Sequence, residues 1–129
     1  MIDIQSIAKK YPLPAENLRY VSFFLACLLQ VKSKLPNDAQ VALDVATRYW
    51  QDNSATKSDL REQDKRCAEF WRADGRHADT PYRLVAFVLT DPIVGNPVDN
   101  LDWFEVFMER LGGADHILQS ASNEWFPLN

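Results

Sequence analysis

The stretch Leu18 to Leu35, LRYVSFFLACLLQVKSKL, constrains this chain more than any other. At 100° per residue, Leu18, Val21, Phe24, Leu25, Leu28, Leu29, Val31 and Leu35 fall on one broad side of a helix. Arg19, Ser22, Gln30, Ser33 and Lys34 fall on the other, with Phe23 among them. One neighbour cannot cover an apolar arc of that width, so other helices must pack around it. The helix is expected to stop before Pro36, because a residue preceding proline avoids the helical region.

The flanking segments supply those neighbours. Residues 3–10 are expected to form a short helix with Ile4, Ile7 and Ala8 on one side, closed by Pro12 and Pro14. Asn37 or Asp38 caps a third helix running to about Gln51. A fourth spans about Lys57 to Ala73, capped by Thr56 or Ser58. Its narrow stripe of Leu60, Cys67, Phe70 and Trp71 is interrupted by Gln63 and Asp64. After the loop Asp74 to Asp79, Thr80-Pro81 opens an element, PYRLVAFVLT, that is apolar on nearly all sides. Its start signal and the lack of a strand partner favour a buried helix over a buried strand. A loop with Pro92, Gly95 and Pro97 leads to a helix from Asp99 or Asn100 to Leu111, stopped by Gly112-Gly113. Its buried arc is Leu101, Trp103, Phe104, Phe107, Met108 and Leu111, with Trp103 at the edge. A last helix, roughly Ala114 to Asn123, precedes a tail with Trp125 and Phe126.

The fold class expected is therefore all-α: one domain over residues 1–129, six or seven helices packed around buried helices 18–35 and 81–90. An apolar content of 47% fills one core at this length. The longest uncharged run, Tyr20 to Val31, is shorter than the roughly 18 residues a membrane span needs. The amino terminus lacks the pattern of a secretory signal. Two cysteines, Cys27 and Cys67, both on apolar stripes, do not make a disulfide framework. A soluble protein of the cytoplasm is expected, without membrane contact.

Signatures of catalysis are missing. No phosphate-cradling glycine loop, serine elbow, paired-cysteine zinc pattern or helical histidine pair occurs. His77 near Asp79 and His116 beside Asp115 specify no ligand set. No catalytic residue, metal or cofactor is expected. A small helical enzyme with His77 or His116 in a pocket is the rival from another class.

Charge is more informative. Lys57, Arg61, Lys65 and Arg72 share a quarter of the fourth helix, but pairs such as Glu62–Arg66, Lys65–Glu69 and Glu69–Arg72 account for much of that charge as surface support. From Leu84 onward there are seven acids and one base, Arg110, a net −6, while the preceding residues carry net +2. Asp99, Asp102, Glu105 and Glu109 line one narrow stripe of their helix with Val106 in its midst, the two glutamates placed in solvent. Asp99 and Asp102 suit a helix amino terminus; Glu109 sits in the last turn, where the dipole disfavours it. Crowded carboxylates repel one another, and a basic partner relieves that. The overall charge of −4 argues against direct nucleic-acid binding.

The expected partner-binding residues are Asp99, Asp102, Trp103, Glu105, Val106 and Glu109. The function expected is a small acidic protein-binding module that masks a basic partner surface. Immunity-type inhibitors of nuclease toxins solve the same problem, occupying with carboxylates a site meant for phosphates. A self-associating structural subunit, joined through Trp103, Val106 and the carboxyl-terminal aromatics, is a further alternative.

Overall fold

The computed structural model describes residues 2–71, 78–112 and 115–129. Among them run seven α-helices: α1 (Ile4–Lys10), α2 (Asn17–Gln30), α3 (Asn37–Thr47), α4 (Lys57–Ala68), α5 (Thr80–Ala86), α6 (Pro97–Leu111) and α7 (Asp115–Trp125). A tight 3-10 turn, Lys32–Lys34, follows α2, and a π-helical turn, Arg48–Asp52, extends α3. No strand occurs among the described residues, so the all-α expectation holds.

Helix α2 is the centre of the bundle, but its buried side is wider than the sequence stripe and partly rotated from it. Tyr20, Val21, Phe23, Phe24, Leu25, Cys27 and Leu28 are all buried. Phe23, expected among polar residues, is fully enclosed, with ring centroids 5.8 Å from Phe104 and 5.1 Å from Phe126. The solvent side is instead the line Leu18, Ser22, Ala26 and Leu29, of which Leu18 is 61% exposed. A periodicity argument assigns one face, whereas α2 packs against both α7 and α3. Two neighbours bury two faces.

The rest of the chain closes around it. Helix α1 packs on α6, α4 on α3 and α5, and α5 on α3 and α6. Phe126, expected in a tail, is buried against Tyr11, Tyr20 and Phe23 just past the end of α7. Tyr11 Oη and Lys10 Nζ donate to the Pro127 carbonyl, at 2.5 Å and 2.9 Å, and Arg19 donates to that of Trp125 at 2.8 Å.

Local chemistry sets the element ends. Thr56 Oγ1 accepts from Asp59 N–H while Asp59 Oδ2 accepts from Thr56 N–H, a reciprocal cap on α4. These bonds hold the Asp59 carboxyl below its ordinary range. Thr56→Ala is expected to lower stability by about 1 kcal/mol, read as a reduced urea midpoint. An unchanged midpoint would show that α4 does not depend on this cap. The N-cap of α3 is Pro36, not Asn37 or Asp38 as expected; Asp38 Oδ1 accepts from Ala39 N–H at 3.1 Å and from Tyr82 Oη at 2.8 Å. Helix α4 ends at Ala68 rather than residue 73, and α5 at Ala86 rather than residue 90, each running on into tight turns. Helix α6 begins at Pro97 rather than at Asp99 or Asn100, because Asn96 caps it and Pro97 opens its first turn. Gly112 stops it as expected, at φ 121°. Arg72, the loop from Asp74 to His77, and Gly113 with Ala114 lie outside the described residues.

Candidate functional site

The segment between α5 and α6 is held down at several points, and that fixes the shape of the surface beside it. The π-helical turn sets Tyr49 and Trp50 side by side, ring centroids 5.0 Å apart. Trp50 Nε1 donates to the Val88 carbonyl at 2.9 Å, and Tyr49 Oη donates to Asp91 Oδ2. Ile93 N–H donates to Asn17 Oδ1 at 2.8 Å, and Asn100 Nδ2 donates to the carbonyls of Val94 and Asn96. Gly95 turns the chain at φ 93°, where a side chain would be strained.

Between this loop, α4, α5 and α6 lies a groove of about 520 Å³. Its walls are mostly apolar, with Phe87, Ile93 and Phe107 below and Trp71, Val94 and Trp103 exposed at the rim. Val94 is 75% exposed and Trp103 52%. Three of the large exposed hydrophobic residues thus meet at one concavity, and apolar area gathered in that way marks a binding surface better than scattered residues do.

The groove's charged groups differ in how they are matched. Arg83 Nε donates to the buried Asp79 at 2.7 Å, and its guanidinium lies 4.7 Å from the Trp71 ring. Asp99 exchanges hydrogen bonds with its cap partner Asn96. Asp64, half-buried on α4, has no ion pair among the described residues, and burial raises its carboxyl pKa above 3.8. The folded protein therefore binds this proton more readily than the unfolded chain, and Asp64 costs stability as pH rises through that window. Asp64→Asn is expected to raise the melting temperature at pH 7, with the gain shrinking as pH falls toward 3.8. A destabilised variant at pH 7 would mean that the charge has a favourable partner in the free protein.

The residues expected to form the partner surface divide in two. Asp99 and Trp103 line the groove, Trp103 stacked on Phe107 at 5.6 Å. Asp102 and Glu109 are exposed beside it along α6, and neither makes an ion pair among the described residues. Glu105 is not in open solvent as expected; it is half-buried and its Oε2 is enclosed without a hydrogen-bond partner. Val106 is half-buried beside it. Asp64 was missed as a site residue, although a signal was present in the sequence: an acid interrupting an otherwise apolar stripe.

The other candidates lie elsewhere. His116 is exposed on α7, and His77 is outside the described residues. Cys27 and Cys67 are buried free thiols, each pushed up to about 12 chiefly by desolvation. Among the described residues no group of three or more His, Cys, Asp or Glu is disposed to hold a metal ion, and no helix is long and apolar enough to cross a membrane. No family model, curated protein or solved structure matches the chain.

Proposed function

We propose that this protein is a small binding module that masks a basic surface on a protein partner, most concretely an immunity-type inhibitor of a nuclease toxin. The observation that carries this is Trp103. Its indole is half in solvent, backed by Phe107, between an apolar groove and a line of carboxylates that no cation of the described residues neutralises. A central aromatic anchor with a charged surround is what hot-spot interfaces use. The carboxylates suit a surface built for phosphates and repel nucleic acid itself. Two unpaired thiols fit work in a reducing compartment, the cytoplasm.

Asp102 and Glu109 are the residues to reverse, since Glu105 has a buried oxygen whose loss would confuse folding with binding. Affinity capture with the wild type identifies the partner, whose nuclease activity is then assayed with and without this protein. Asp102→Lys/Glu109→Lys is expected to slow association about tenfold or more at low salt, with a much smaller difference at high salt. Trp103→Ala should instead speed dissociation. An unchanged association rate for the folded double variant at low salt would sink the acidic-surface idea. A captured partner with full nuclease activity in the complex, or none to begin with, would sink the inhibitor role.

A further inference from the structure

We infer that the groove beside α6 receives an arginine side chain of the partner, its stem against the aromatic wall and its guanidinium at Asp64. This rests on α6 being the surface for a basic partner and names the group that anchors it. Three observations point to that side chain. The groove is apolar along its walls yet carries two carboxylates, Asp64 and Asp99, which suits a group with an aliphatic stem and a cationic head. Among the described residues its one lining cation, Arg83, pairs with Asp79, and neither Asp64 nor Asp99 makes an ion pair. The chain also displays the contact itself, because Arg83 lies over Trp71 at 4.7 Å while the half-exposed indole of Trp103 offers a second ring at the same groove. A planar guanidinium stacks on indole and pairs with carboxylate at once, which an ammonium does less well.

Asp64 supplies the chemical logic. Asp64 is half-buried and has no cation beside it among the described residues, so desolvation disfavours its charged form, and an incoming guanidinium would remove that penalty. Part of the partner's affinity then comes from repairing a defect that the folded chain carries alone. Asp64→Asn repairs the defect in another way, so it separates binding from folding.

The test is an NMR titration of the full chain with n-propylguanidinium, which is the arginine side chain without its backbone, and with its neutral counterpart n-propylurea. Shifts are expected at Trp71, Ile93, Val94 and Trp103, with the cation binding about fivefold or more tightly than the urea. Asp64→Asn should erase that preference while remaining folded, and Trp103→Ala should weaken both probes. Equal binding of the two probes, shifts outside the groove, or an undiminished preference in Asp64→Asn would each overturn the assignment. The groove and the α6 line are separable. Guanidinium preference together with unchanged association of Asp102→Lys/Glu109→Lys overturns the α6 surface alone. Slowed association without guanidinium preference overturns the groove assignment alone.

Discussion

Phe104→Ala is expected to lower the unfolding free energy by about 3–5 kcal/mol, whereas Trp103→Ala, one residue away, should cost about 1 kcal/mol or less. Phe104 is fully buried, and its ring lies 5.8 Å from Phe23, 4.6 Å from Phe24 and 5.2 Å from Phe87. It joins α6 to both α2 and the chain after α5, so truncation opens a cavity where three elements meet. Trp103 points the other way, with half its surface already in water. Urea unfolding followed by circular dichroism measures both. Equal losses would mean that the indole is part of the core and not a surface held ready for a partner.

Val85→Asp should leave no folded protein. Val85 is fully buried on α5, which is packed between α3, α4 and α6. A carboxylate there has neither water nor a cation to face, and a burial penalty of several kcal/mol competes with a total stability of about 5–15 kcal/mol. The same substitution at Val94, on the groove rim, should give a normally folded protein because that side chain is already solvated. Soluble yield and the helical dichroism signal distinguish the two. A folded Val85→Asp would show that α5 is not the enclosed element described above.

Periodicity located the helices because each has a stripe to bury, and on α6 it named Leu101, Phe104, Phe107 and Met108, all of them buried. It misjudged α2. With α7 and α3 on two sides, the Tyr20, Phe23 and Cys27 line is as buried as Phe24 and Leu28, and the leucines at 18 and 29 contribute to a stripe they do not share in space. Phe126 was illegible because its contacts, to Tyr11, Tyr20 and Phe23, are more than a hundred residues distant in sequence. The groove was illegible as a whole, since α4, α5, α6 and the 91–96 loop each supply part of it. Its parts were partly visible all the same: the edge position of Trp103, the misplaced charge of Glu109, and Asp64 within an apolar stripe.

The pairing of α1 with α6 and α2 with α7 bears on how quickly this chain reaches its native state. In an up-and-down bundle each helix meets the next one synthesised, and such local topologies fold in about microseconds to milliseconds. Here Tyr11 and Pro127, hydrogen-bonded across 116 residues, can meet only after most of the chain has been gathered into one closed loop. That loss of chain entropy precedes the burial of Phe126 that offsets it. Refolding should consequently be slow for a protein of this helix content, and Phe126→Ala should chiefly accelerate unfolding, because a contact made last is absent from the transition state.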